Sequence, residues 1–122
     1  MQEVLIRNQT RPLIQPIRAG FCVSFMSRLR GFMFSKEVGE EKGLVLVQES
    51  ETRLDAAIHM FFVPFDLGVI WIDKQGKIVD HCLAKAWQPF YMPARPAKYI
   101  LEIHPQRLAE FQTGDQVIFD AA

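Results

Sequence analysis

Leu67-Gly68-Val69-Ile70-Trp71-Ile72 constrains the fold more than any other stretch of the chain. Side chains alternate across a strand, so Leu67, Val69 and Trp71 share one face while Ile70 and Ile72 share the other. Apolar residues on both faces belong to a central strand, covered above and below. Asp73-Lys74-Gln75-Gly76-Lys77 follows, a tight turn with glycine where positive φ is wanted, and Ile78 to Ala86 reads as the returning strand. A hairpin running from Phe65 to Ala86 therefore organises the prediction.

Around it, glycine and proline cut the apolar sequence into short pieces. Strands are expected at Val4-Leu5-Ile6, Phe21–Phe25, Gly43–Val47, Ala57–Phe62, Lys98–Ile103 and Gln116–Asp120. Pro12 and Pro16 bracket Leu13-Ile14-Gln15, which suits an edge strand or an extended arm, and Gly20 marks a turn. Gln48 to Arg53 is polar and reads as a hairpin loop, and Pro64 breaks the run before the central strand. From Phe25 the spacing turns helical: Phe25, Leu29, Phe32 and Met33 share one face, with Ser24 or Ser27 as N-cap and Gly31 as a left-handed cap or a site of close backbone approach. Pro105 suits the first position of a second short helix, Pro105 to Phe111, with Leu108 and Phe111 inward. Gln88 to Pro96 is an irregular aromatic loop. Many short strands, Gly and Pro turns and no βαβ alternation predict a mainly β fold, a small antiparallel β-sandwich or barrel with one or two short helices. The 122 residues fit a single domain, 1–122.

Charge and cysteine content narrow the function classes. Fourteen Lys and Arg balance fourteen Asp and Glu, so the basic excess that phosphate contacts demand is missing and no nucleic-acid partner is expected. Cys22 and Cys82 lie far apart among apolar residues and read as buried thiols. No stretch approaches the ~20 apolar residues of a membrane span, and Glu3 and Arg7 interrupt any leader-like core, so a soluble, cytoplasmic domain is expected. Neither a phosphate-binding glycine motif nor a nucleophile elbow occurs, and no cofactor is expected.

Several segments, in order, resemble the domain of unknown function 192 family. Arg28-Leu29-Arg30-Gly31-Phe32-Met33 is similar to its Arg-x-x-Gly-Leu-Met signature. Gly43-Leu44-Val45-Leu46 sits where the family has a Gly-Met-Leu-Phe strand, and Ile58–Val63 with Pro64-Phe65-Asp66 resembles its branch with an Ile-His-Thr-Phe-Phe-Met segment. Tyr99–Ile103 and Gly114-Asp115 complete a resemblance over about residues 19 to 118. It implies a β-rich, sandwich-like fold and brings no established activity.

Five residues are candidates for a pocket: Arg28, Arg30, His59, Asp66 and Glu102. His59 lies among apolar neighbours and suits a general base or a ligand-binding donor. Asp66 is its candidate partner, although strand parity sets the two on opposite faces unless Pro64 kinks the chain. Glu102, between Leu101 and Ile103, is buried or faces a lumen, and a buried charge needs a partner; Arg28 and Arg30 are the expected ones, in a pocket for an anion or a sugar. His59, His81 and His104 show no metal-ligand spacing, and no metal is expected. Trp87, Phe90 and Tyr91 are candidates for surface recognition. These features favour a non-catalytic binding or accessory domain. The alternatives are an enzyme using His59 with a carboxylate as acid and base, and a protein–protein interaction module.

Overall fold

The computed structural model describes residues 2–122; Met1, the first residue of the expected domain, lies outside the described residues. Seven strands, β1 (Glu3–Asn8), β2 (Ile17–Cys22), β3 (Lys42–Thr52), β4 (Leu67–Ile72), β5 (Ile78–Ala84), β6 (Ala97–Ile103) and β7 (Val117–Ala121), are joined by one α-helix, α1 (Phe25–Arg30), and one 3₁₀ helix (Pro105–Glu110). All seven belong to one sheet in the order β5-β4-β6-β3-β2-β1-β7. The sheet curls into a half-barrel, and a Lys77–Gln116 bridge brings the start of β5 to the approach of β7. The mainly β class stands, as one curled sheet.

β4 lies between β5 and β6 and is buried along its whole length. Leu67, Val69 and Trp71 join one apolar cluster; Ile70 and Ile72 join the other, on the opposite face. The turn is tied by Asp73, whose Oδ1 accepts from the N–H groups of Gln75 and Lys77, both at 2.9 Å. Gly76 has φ +87°, and a Cβ there would lie 2.7 Å from the Val117 carbonyl, so only glycine lets the hairpin tip touch β7.

The structure corrects several expectations. The sheet is mixed: β2 and β3 pair in parallel, Arg18 opposite Lys42 through Cys22 opposite Leu46, with α1 in the crossover between them. Six helical residues are too few to show a periodic stripe, which hid this βαβ unit. Ser24 caps α1 by accepting from Ser27 N–H, Gly31 ends it, and no residue of the helix is buried. Phe25 and Leu29 are thus exposed, and only Phe32 and Met33 reach the core. Gly20 is a strand residue facing Glu3 and Leu44, not a turn. Leu13 to Gln15 forms no strand, because flanking prolines remove two ladder donors. Gln48 to Thr52 continues β3 rather than looping, with Thr52 still paired to Ala97 of β6. Ala57 to Phe62 is an irregular strap, not a strand. It is held by a bridge between Ile58 and Tyr91 and by backbone bonds of Met60 to Gln88 and Trp87, and buries Ile58 and Met60 in the cluster of Leu67, Val69 and Trp71. Cys82, on the edge strand β5, is only half-buried against the apolar cluster, whereas Cys22 is fully buried.

At the β1–β7 end the buried polar groups are all tied. Asp115 accepts from Asn8 Nδ2 at 2.9 Å, Arg11 Nε at 3.0 Å and Gln112 N–H at 3.0 Å. Arg107 donates to the Glu40 and Gln15 carbonyls, each at 2.6 Å, and pairs with Glu110. Burial alone would raise both carboxyls; these bonds outweigh it and hold Asp115 and Glu110 below the ordinary range.

Candidate functional site

β6 sends Leu101 and Ile103 into the inner cluster and, by alternation, turns Ile100 and Glu102 to the other face. Glu102 sits between Leu44 of β3 and Val69 of β4, in the middle of the sheet. It is 4 % exposed, and its Oε1 has no hydrogen-bond partner. Burial alone pushes its carboxyl up to about 7. That same burial raises the neighbouring Cys22 thiol to about 11, with the Glu102 charge adding to the shift.

The C-cap of α1 lies against this carboxyl. Gly31 has φ +45°, and a Cβ built there would sit 3.2 Å from Glu102 Oε1. Of the two readings of Gly31 made from the sequence the helix cap holds, with a φ that side chains avoid, whereas the group that comes close is the Glu102 side chain and not another backbone.

The expected Arg–Glu pair does not form. Arg28 Nη1 donates to the carbonyls of Val23 at 2.6 Å and Val47 at 3.2 Å, and its Nη2 lies 3.8 Å from Glu49. Arg30 is exposed at the end of the helix. The Arg28 head follows the carbonyls of Val23 and Val47, which a strand pattern does not reveal.

Arg28, Arg30, His59 and Glu102 nonetheless line one cavity of about 360 Å³. Its walls include Phe32, Met33, Leu46, Ile58, Val63 and Ile100, and Gln48 and Asp55 add polar groups. Gln48 was hidden by reading its segment as a loop. The alternation Leu44, Leu46, Gln48 was the signal that it shares their face. Asp55 carried no such signal. His59 is half-buried on the strap; its Nδ1 accepts from Phe61 N–H at 3.1 Å, and its ring lies 5.5 Å from that of Phe61. No carboxylate hydrogen-bonds to it. Asp66 is outside this cavity, accepting from Ala86 N–H at 3.0 Å and facing Lys85 Nζ at 3.5 Å, so it does not orient His59. Among the described residues no three His, Cys, Asp or Glu side chains gather as a metal-binding group.

The aromatic candidates divide. Tyr91 is a staple: its hydroxyl accepts from Lys85 N–H at 2.9 Å and its backbone bridges Ile58. Trp87 and Phe90 are exposed. Trp87 lies edge-on to Phe62 at 5.4 Å, and Phe62 stacks on Phe34 at 5.0 Å. Among the described residues these three are the non-glycine ones with positive φ, at 65°, 61° and 64°. Each such conformation costs roughly 1–3 kcal/mol and persists only where its surroundings enforce it. Here Phe34 N–H bonds to the Phe62 carbonyl at 2.8 Å, and Trp87 N–H to that of Met60 at 3.1 Å.

Residues 5–119 match the family described as "Uncharacterized ACR", DUF192. A UPF0127 protein of Thermococcus kodakarensis is 36 % identical over 115 residues, covering 93 % of this chain and 71 % of that protein. A crystal structure of a protein of unknown function from Novosphingobium aromaticivorans superposes with TM-score 0.81 at 20 % identity, covering 95 % of this chain and 83 % of that one. One from Sinorhizobium meliloti, titled a putative transcription regulator, gives TM-score 0.84 at 15 % identity, covering 97 % and 92 %. At these identities the two structures show a shared fold.

Proposed function

The chain belongs to the DUF192 family, and from that premise we propose that it is a small-molecule-binding domain without catalysis of its own. The observation that carries this reading is Glu102, a buried carboxyl on the floor of a cavity with one oxygen left without a partner. A fold gains nothing from such a group, because burying an unsatisfied polar atom is costly. A ligand that hydrogen-bonds to Glu102 recovers that cost on binding. The apolar walls supply contact area, and Arg28, Gln48, Asp55 and His59 supply orientation. No helix among the described residues is long and apolar enough to cross a membrane. The two free thiols suit our placing of the domain in the cytoplasm.

The test is a thermal-shift screen against small polar organic molecules, repeated on Glu102→Gln. A ligand at 100 times its Kd adds about 2.7 kcal/mol and moves Tm by several degrees; the variant should lose most of that shift. Stabilisation that survives in Glu102→Gln and Gly31→Ala would move the site elsewhere.

A second reading, docking of a protein partner, draws on the exposed rings of Phe34, Phe62 and Trp87, held together by three left-handed residues. Sedimentation of the wild type and of Phe62→Asp tests it for a second copy of this chain. A mass that grows with concentration only in the wild type is the expected result.

A further inference from the structure

We propose that the cavity binds small organic molecules carrying a protonated primary amine, with the ammonium seated on Glu102 and the organic body against Phe32, Met33, Leu46 and Ile100. This deepens the pocket reading and rests on it.

Charge complementarity within the cavity supports the choice of a cation. Its lining holds two arginines, Arg28 and Arg30, against three carboxyls, Glu49, Asp55 and Glu102. With Glu102 ionised and His59 neutral the lining carries one net negative charge, which a monocation cancels. The positive groups of the site do not serve Glu102. Arg28 is committed to the Val23 and Val47 carbonyls and faces Glu49, and Arg30 is exposed. No cation contributes to the Glu102 shift, which burial alone causes. An anionic ligand would leave the one unpartnered buried group of the site still unpartnered. A neutral alcohol would satisfy one lone pair without balancing the charge. An ammonium does both, and charge-assisted bonds are roughly twice as strong as neutral ones. Gly31, which lies against Oε1, sets no side chain over it.

Seating the ammonium converts Glu102 to its carboxylate, so below neutral pH the carboxyl proton is released to solvent on binding. The other titratable or charged groups around Glu102 are Cys22 from β2, Arg28 and Arg30 from α1, Glu49 from β3, and Asp55 and His59 before and on the strap. Since His59 is shared by the wild type and its Glu102 variant, the difference between the two isolates the Glu102 contribution.

The experiment is an NMR titration of the purified full chain with matched amine and alcohol probes, butylamine against butanol and benzylamine against benzyl alcohol, followed at the Gly31, Met33 and His59 amides. At pH 8 the amines should bind at least about tenfold more tightly than the alcohols. Their affinity should fall about tenfold between pH 8 and pH 6, as the empty site takes up a proton with a midpoint near 7. Both the preference and this pH slope should vanish in Glu102→Gln. Gly31→Ala, which sets a methyl 3.2 Å from Oε1, should weaken the amines more than the alcohols. Alcohols binding as well as amines, or amine affinity unchanged in Glu102→Gln, would overturn the ammonium assignment and leave the pocket standing. No shift at the pocket amides with either class would overturn the pocket as well.

Discussion

Two regions of the half-barrel each bury a carboxyl, and they treat it in opposite ways. At the β1–β7 end Asp115 receives three hydrogen bonds and is held below the usual carboxylate range. Mid-sheet, against the α1 C-cap, Glu102 is as closed to solvent, has Oε1 without a partner and is pushed up to about 7. Equal burial with unequal satisfaction separates a group kept for the fold from one kept for something the fold does not contain. The backbone follows the same division: the three left-handed aromatic residues lie among the crossover, strap and loop of the Glu102 face, none at the Asp115 end.

The largest effect expected from breaking this contrast is at the satisfied end. Asp115→Ala takes an acceptor from the buried Asn8 amide and from the Gln112 N–H, as well as from half-exposed Arg11, and urea denaturation should show a loss of about 3 kcal/mol. Glu102→Gln should act in the other direction. The folded chain keeps the Glu102 proton up to about pH 7, whereas the unfolded chain loses it near 4.5. Stability therefore falls as pH rises across that window, and the loss is complete above it. The variant should be more stable than the wild type at pH 8, by roughly 2 kcal/mol, with the gap closing toward pH 4. The Asp115 and Glu110 contributions run the opposite way: they are present above the ordinary carboxylate range and lost in acid, as pH drops through their lowered values. Asp115→Asn and Glu102→Gln should thus both differ from the wild type near neutral pH and above, with opposite signs, and both should converge on it in acid. Gly31→Ala combines a disfavoured φ with crowding of Oε1, and chemical denaturation should register about 1–2 kcal/mol. Phe62→Asn should have the smallest effect, within about 1 kcal/mol in either direction, because asparagine tolerates the left-handed conformation and the lost ring contacts are exposed. A large loss there would make the aromatic cluster part of the fold's own support.

What the sequence revealed follows the range over which each interaction acts. The β4–β5 hairpin was legible because its alternation, its turn and its glycine all lie within a few residues of one another. The parallel β2–β3 pair was not, because the register of Arg18 with Lys42 depends on a crossover whose helix is too short to carry a pattern. Glu102 stood out as a carboxyl inside an apolar strand, and its association with Arg28, Arg30 and His59 in one cavity was anticipated. Its want of a partner was hidden, since the direction of Arg28 is decided by two backbone carbonyls. Asp66 was misassigned for a similar reason: its partners, Lys85 and the Ala86 amide, come from the far end of the same hairpin.

The pairing of β1 with β7, from Val4 opposite Ala121 to Asn8 opposite Val117, sets the order of assembly. During synthesis β1 can pair with β2 early, but its other edge stays open until residues 117–121 have left the ribosome. Until then Ile6 and Asn8 have neither strand nor network on that side. Contacts joining such distant positions slow folding relative to helical chains of similar length. The nascent sheet therefore passes through a period with an unpaired edge, which is when such chains are most prone to aggregate or to meet a chaperone.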